Sequence, residues 1–207
     1  MSQEGQWENL KKELCEILTR IGALKFGIFK LADGKLSPYY IDLRIVPSFP
    51  EAFVKVEKLY LEVAKRNLDL GDVSRIAGIP TAGIPFAAVL AFSLNKPFLY
   101  VRRDQTRGRE RRVEGILNPG EPVLIVDDLV MTGKTMLAAA DSIRCEGGVV
   151  REALVLIDRQ EGGRLALEAK GIRLHRLISM KEVAEILYDV GAIEKEQMKE
   201  ILSQAIS

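Results

Sequence analysis

The chain has 207 residues, 47% hydrophobic and 29% charged, a balance that excludes a disordered or fibrous protein and allows a sizeable core. Thirty basic against twenty-nine acidic residues leave a net charge of +1, so no global field draws it to nucleic acid or an anionic membrane, and electrostatic function has to be local. No apolar run approaches the roughly 18 residues of a membrane span. The start, MSQEGQWENLKKEL, lacks a signal-peptide pattern, and a cytoplasmic location is expected.

Leu10, Leu14, Ile17, Leu18 and Ile21 recur at helical spacing and predict a first helix that stops near Gly22. Phe26–Leu31 and Ser37–Asp42 read as two strands around a turn at Ala32–Lys35 that carries Asp-Gly. Phe53, Val56, Leu59, Tyr60, Val63 and Ala64 mark a second helix after Pro50.

Strands then alternate with helices. Strands are expected at Val73–Ile79, Phe98–Val101, Val123–Val126, Ala153–Ile157 and Ile172–Ile178, and helices at about 83–93, 134–146 and 163–170. Short apolar strands separated by helices predict a doubly wound, mostly parallel α/β sheet covered on both faces. The expected arrangement is one domain over 1–207, with a core of about 51–178 and a hood made of about 1–50 plus the C-terminal helices. Ser179 with Glu182 three residues on is a capping-box pattern, and Val183, Ile186, Leu187 and Val190 give the following helix an apolar face.

Cys15 and Cys145 lie in amphipathic helical patterns without CxxC spacing or an adjacent histidine, and read as buried free thiols. The single histidine, His175, sits in an alternating strand pattern and reads as structural.

The most informative segment runs from Val123 to Thr135. A four-residue apolar strand ends in Asp127 and Asp128, at the strand terminus where open α/β sheets bind ligands. Two adjacent like charges there call for a counter-cation or hydroxyl donors, such as Mg²⁺ or a diol. The bland alternative is a pair of solvated cap residues. Thr132-Gly133-Lys134-Thr135 then turns into a helix whose amide groups and positive end suit a phosphate. A Walker A loop is excluded, because its first glycine would fall on Asp128.

A strand, Asp-Asp, a short apolar stretch and Thr-Gly-Lys-Thr resemble the 5-phosphoribosyl 1-diphosphate (PRPP) loop of type I phosphoribosyltransferases. The resemblance implies that Asp127 and Asp128 meet ribose hydroxyls and that Leu129, Val130, Met131, Thr132, Gly133, Lys134 and Thr135 surround the 5′-phosphate. Met131 occupies the position of an aspartate in purine-using members, and it cannot exchange a proton, which disfavours a purine acceptor.

Lys25–Phe29 with Ser37–Asp42 is similar to the hood of orotate phosphoribosyltransferases, and Gly78–Pro85 to their pyrophosphate loop, with Thr81 and the glycines at 78 and 83 allowing close approach. Asp158–Gly163 resembles the segment in which the family's arginine, here Arg159, grips the orotate carboxylate. Its planar fork suits that group, although a surface ion pair with Glu161 or Glu168 would use the same charge.

Orotate-binding candidates are therefore Lys25, Tyr39, Tyr40, Met131 and Arg159. At most one of the two tyrosines should stack on a flat ring, since neighbours in a strand face opposite ways. The resemblance extends from about Leu10 to Leu187 and includes the orotate half of bifunctional UMP synthases. The chain is accordingly expected to perform only the transfer step.

The segment 102–115 departs from the family pattern. It holds six arginines and three acidic residues but neither lysine nor histidine, and its few apolar residues predict a mobile loop. In the family this loop closes over the site, commonly from the neighbouring subunit of a homodimer, and carries a catalytic lysine. Alignment on Gly108 puts Gln105 or Thr106 at that position. Arg102, Arg103 and Arg107, with Arg109 in reserve, are expected to replace the lysines electrostatically, since arginine neutralises charge but does not act as a general acid near neutral pH.

The implied activity is Mg²⁺-dependent transfer of phosphoribosyl from PRPP to orotate. Asp127, Asp128, Arg103 and Arg107 are the catalytic candidates, Arg102 and Thr81 are added to the PRPP set, and the ion is held chiefly through water. The alternatives are another acceptor base or a non-catalytic PRPP-binding regulator.

Overall fold

The computed structural model describes residues 3–30, 36–102 and 112–204. Helix α1 (Gln3–Arg20) leads into an antiparallel hairpin of β1 (Leu24–Lys30) and β2 (Leu36–Ile41), with Lys25 opposite Tyr40 and Phe26 opposite Tyr39. A 3₁₀ turn at Leu43–Ser48 follows, opened by Asp42, whose carboxylate accepts from the Arg44 amide. Helix α2 (Pro50–Asn67) starts with proline at its first position, where no intrahelical donor is lost.

From there strands and helices alternate: β3 (Arg75–Gly78), α3 (Gly83–Ser93), β4 (Phe98–Val101), β5 (Val113–Glu114), β6 (Pro122–Val126), β7 (Leu129–Val130), α4 (Lys134–Cys145), β8 (Val149–Asp158), α5 (Gly163–Glu168) and β9 (Arg173–Ser179). Two helices end the described chain, α6 (Met180–Asp189) and α7 (Lys195–Gln204).

Among the described residues these strands form a seven-stranded sheet, parallel except for the β4–β5 edge. The chain runs from β3 outward to β4, then crosses back to β6 on the other side of β3 and continues to β8 and β9. The direction of winding therefore reverses between β3 and β6, whose carboxyl ends lie side by side with Gly78 opposite Val126. Crevices at such reversals are where open α/β sheets take ligands.

Alternation along each strand splits the core into two layers. Ile76, Leu124 and Leu154 pack with Val56, Tyr60, Phe86 and Leu90 of α2 and α3. Their neighbours Ala77, Ile125 and Val155 pack with Met136, Ala140, Ile143 and Leu167 of α4 and α5. The predicted doubly wound, mostly parallel α/β sheet is the observed architecture. Beside the β1–β2 hairpin, Gln204 of α7 donates to the Leu36 carbonyl, so the C-terminal helix touches the N-terminal strands. Ser179 and Glu182 form the expected capping box, and Glu182 also takes the ammonium of the buried Lys11 at 2.6 Å, fastening α1 to α6.

Several expectations are corrected. Cys15 is buried, but Cys145 is exposed: it lies two residues beyond Ile143 and so falls off the buried Met136–Ala139–Ala140–Ile143 stripe. Val190 is 63% exposed rather than part of the α6 face, because the helix ends at Asp189 and the chain turns away through Gly191 at φ 70°. Within the segment read as a mobile loop, Val113 and Glu114 form β5 against Tyr100 and Val101. Strand β7 was not foreseen, because two residues carry no period. The expected turn at Ala32–Lys35 lies outside the described residues.

One buried acid stands apart from these patterns. Glu57 on α2 is 7% exposed, neither of its oxygens has a well-formed hydrogen bond among the described residues, and burial raises its pKa from 4.5 to about 7, with Ser93 offsetting this only in part. Between those two values the folded chain holds a proton that the unfolded chain has lost, so this contribution to stability is complete below about pH 4.5 and disappears as pH rises through about 7. Glu57→Gln should therefore stabilise the protein by about 1–2 kcal/mol at pH 8, after allowance for solvent screening, and by much less at pH 5. Urea unfolding at the two pH values measures the difference, and an equal effect at both would contradict it.

Candidate functional site

The carboxyl ends of β3 and β6 and the amino end of α4 enclose a cleft of about 280 Å³. Its walls are Pro80–Ala82 on one side and Asp127–Met136 on the other, with Arg44 at the hood side. Sequence-predicted Asp127, Asp128, Leu129, Val130, Met131, Thr132, Gly133, Lys134, Thr135 and Thr81 are thus brought together around one space.

The acidic pair is held from behind. Tyr60, fully buried on α2, donates its hydroxyl to the Asp127 carbonyl at 2.7 Å, and burial together with the nearby carboxylates raises its pKa well above 10. The Asp127 carboxylate accepts from the Asp128 amide at 3.0 Å, and that of Asp128 from the Leu129 amide at 2.8 Å. Burial pushes the Asp128 carboxyl upward, while its hydrogen bonds and the Arg44 charge pull the other way. Gly83 is required at its position, since a Cβ would lie 2.6 Å from the Val126 carbonyl and 2.8 Å from Asp127 Oδ1.

Further along the same wall lies an anion cradle. Gly133 caps α4 in the left-handed region at φ 78°, which glycine adopts freely, and no side chain caps the helix. The first amides of a helix have no intrahelical partner, and here they face the cleft beside the exposed side chains of Thr132, Lys134 and Thr135. Carboxylates that can accept from hydroxyls therefore share one cleft with donors that can hold a phosphate.

Arg159, at the end of β8, is only 7% exposed, and its amide donates to the Val130 carbonyl at 2.9 Å. Its Nε donates to the Tyr39 hydroxyl at 3.0 Å, its Nη1 lies 3.6 Å from the Met131 sulfur, and its Nη2 is paired with Glu161 at 2.7 Å. The ion pair anticipated as a surface alternative does form with Glu161, but it is buried on the arginine side; Glu168 pairs with Arg164 instead. Tyr39 is 1% exposed and belongs to the core, reaching the site through Arg159. Tyr40 is partly exposed and lies against Phe29, with ring centroids 5.7 Å apart.

Lys25 is exposed on β1 and does not line the cleft. Arg102 pairs with Glu114 at 2.9 Å and lines a neighbouring hollow that shares Pro80, Lys134 and Thr135 with the first. Arg103, Arg107 and Arg109 lie outside the described residues. His175 is the structural residue expected, its Nε2 2.6 Å from Glu152.

Sequence reasoning missed Arg44. Asp42 holds its guanidinium through two contacts at 2.7 and 2.8 Å, and Arg44 donates to the Tyr40 hydroxyl at 3.2 Å. The available signal was an acid two residues before a base directly after a strand, too common to single out.

Comparison with known proteins agrees with this geometry. Residues 54–187 match the phosphoribosyl transferase domain family, the class of protein that the sheet reversal and its two-walled cleft define. The orotate phosphoribosyltransferase of Cenarchaeum symbiosum is 41% identical over 181 residues, covering 87% of this chain and 90% of that protein. The crystal structure of the Aeropyrum pernix orotate phosphoribosyltransferase superposes with a TM-score of 0.77 at 35% identity, over 87% of this chain and 99% of that one. Leishmania donovani UMP synthase superposes with a TM-score of 0.82 at 31% identity, and this chain spans 41% of its length. The chain belongs to the orotate phosphoribosyltransferase family.

Proposed function

We propose that this protein transfers the phosphoribosyl group of PRPP to N1 of orotate, giving orotidine 5′-monophosphate (OMP) and pyrophosphate, a step of pyrimidine synthesis. The observation that carries the reading is the convergence on one cleft of an acidic doublet and an uncapped helix start, with the buried fork of Arg159 against Met131 of the cleft wall.

In this reading the Thr132–Thr135 amides and Lys134 hold the 5′-phosphate, and Asp127 and Asp128 accept from the ribose hydroxyls. The Pro80–Ala82 turn with Thr81 approaches the pyrophosphate. Arg159 takes the acceptor's carboxylate, oriented by Tyr39, while Met131 forms the floor between base and phosphate. Tyr40 offers an aromatic face to the base, and Lys25 adds long-range positive charge from the hood.

As pyrophosphate leaves, the ribose becomes oxocarbenium-like, and a pair of fixed carboxylates beside it stabilises that charge without reorganising. Arg102, with Arg103 and Arg107, would neutralise the leaving group. Orotate brings an activated ring nitrogen, so no strong protein base is required, in keeping with methionine at 131.

Among the described residues no cluster of three or more acidic, histidine or cysteine side chains forms a metal cage, and two carboxylates by themselves fit a hydrated Mg²⁺ that arrives with PRPP. Asp127 and Asp128 would hold it through water, and the ion would supply neutralisation of pyrophosphate charge. The reading further includes a homodimer in which segment 102–115 crosses to the neighbouring site. Exposed Tyr100 and Ile116 beside the stem of that segment support a subunit contact there. It also includes a cytoplasmic location; no described helix is long and apolar enough to cross a membrane.

Loss of orotate absorbance on incubation with PRPP and Mg²⁺ tests the reading, and no turnover refutes it. Arg159→Lys should lower kcat/KM for orotate about 10–30-fold, because a point charge replaces a fork that contacts two oxygens, and should leave the KM for PRPP nearly unchanged. Equal losses toward both substrates would count against the assigned role.

A further inference from the structure

The guanidinium of Arg159 has two edges, and the protein has used one of them. Its side edge, Nε and Nη2, is taken by the Tyr39 hydroxyl and the Glu161 carboxylate. Its end edge turns Nη1 toward the sulfur of Met131, a weak acceptor 3.6 Å away on the wall of the phosphate cleft. The end edge is therefore the one whose Nη1 meets only a weak acceptor among the described residues.

Glu161 reaches Arg159 at the expense of backbone strain. Between the two residues Gln160 sits at φ 58°, a left-handed conformation that costs a non-glycine residue about 1 kcal/mol or more. It is held there from both sides, its amide donating to Asp158 Oδ1 at 2.8 Å and its side-chain oxygen accepting from the Lys181 amide at 3.2 Å. Strain that the surroundings fix so firmly is found where a side chain must be aimed. What this turn aims is a carboxylate, 22% exposed, onto a buried cation for which it is the one ion-pair partner among the described residues.

We propose that Glu161 is a specificity-determining counter-charge, a carboxylate that holds the fork of Arg159 in line and sets how strongly the site attracts a carboxylate-bearing base. The inference rests on the orotate reading and extends it. An incoming carboxylate must share the guanidinium with Glu161, so the affinity gained from the acceptor's charge is deliberately partial. The acceptor's carboxylate survives in the product, and the same sharing weakens the hold on OMP and favours its release.

Glu161→Gln tests this, because the amide oxygen still accepts from Nη2 while the charge is gone. With the full charge of Arg159 left to the ligand, the dissociation constant of OMP and the KM for orotate should fall about 3–10-fold, the scale of one partly screened charge pair. Binding of UMP, which lacks the carboxylate, should stay within about twofold, so the preference for OMP over UMP rises. Changing Arg159 to Gln in the same background should abolish the gain.

A residue that only supports the loop would raise these constants, or move OMP and UMP together. OMP binding that is unchanged or weaker in Glu161→Gln overturns the proposal and leaves the orotate reading standing if wild-type turnover is normal. A wild-type chain that neither consumes orotate nor prefers OMP to UMP overturns both.

Discussion

Replacing both Asp127 and Asp128 with asparagine should lower turnover about 10²–10³-fold while the fold persists, the loss seen when a preorganised charge-stabilising group is removed from an enclosed site. The architecture behind the doublet does not depend on its charge, since Tyr60 bonds the Asp127 carbonyl rather than its carboxylate. Asparagine also keeps an oxygen acceptor for the amides of Asp128 and Leu129. Burial already presses the Asp128 carboxyl toward its neutral form, so the double variant should melt at the same or a higher temperature than the wild type.

Opposite signs for activity and stability are what a site built for catalysis gives, because two adjacent carboxylates at a strand end are unfavourable until a ligand meets them. Single-turnover kinetics with thermal melts make the comparison. Turnover within about threefold of wild type would remove the doublet from the catalytic machinery.

Gly163→Ala should be the most damaging alanine substitution among the described glycines. A Cβ at that position would run into the Met131 carbonyl and lie 2.6 Å from Val130 Cγ2 and 3.0 Å from the Gly133 amide nitrogen. Glycine is needed there for space, because its amide donates to the Met131 carbonyl at 2.8 Å and draws α5 against the Thr132–Thr135 turn.

The added methyl has to push that turn outward. Stability should fall by about 1–3 kcal/mol, as for overpacking elsewhere, and affinity for PRPP by about tenfold or more as the α4 amides lose alignment. Gly162→Ala is the control. Its φ of 91° makes alanine strained, but nothing lies within 4 Å of the new Cβ, so it should lower stability by about 1–2 kcal/mol with PRPP affinity nearly unchanged. Urea unfolding and equilibrium titration with PRPP separate the two variants, and equal PRPP affinities would contradict the account.

Much of this site was legible beforehand because its parts are contiguous. A buried strand, an acid pair and a helix start fall within Val123–Thr135, and local chemistry specifies each of them: apolar side chains for a strand covered on both faces, glycine for a left-handed cap, hydroxyl and amide groups for an anion. Parts assembled from distant segments were less legible. Lys25 lies in the first hood strand and Arg44 just after the second, yet only Arg44 reaches the cleft, a difference set by the 3₁₀ turn after Asp42 rather than by any pattern of residue types.

The ion pair of Arg159 with Glu161 was one of two partners that spacing allowed, and the left-handed turn at Gln160 selected it. Cys145 and Val190 show the same limit at helix ends, where one or two residues decide between stripe and solvent and periodicity has run out.

Acting alone, the sequence determined the alternation of strands and helices, the doubly wound class of the sheet and the strand–acid pair–helix run of Val123–Thr135, because all three depend on interactions a few residues apart. The tertiary structure decided that the chain reverses its winding between β3 and β6, that Tyr60 holds the acid pair from behind, and that Tyr39, Met131 and Glu161 share one buried guanidinium. Those contacts join residues up to 120 positions apart. Their energies arise from burial and mutual orientation, which exist only once the layers have packed.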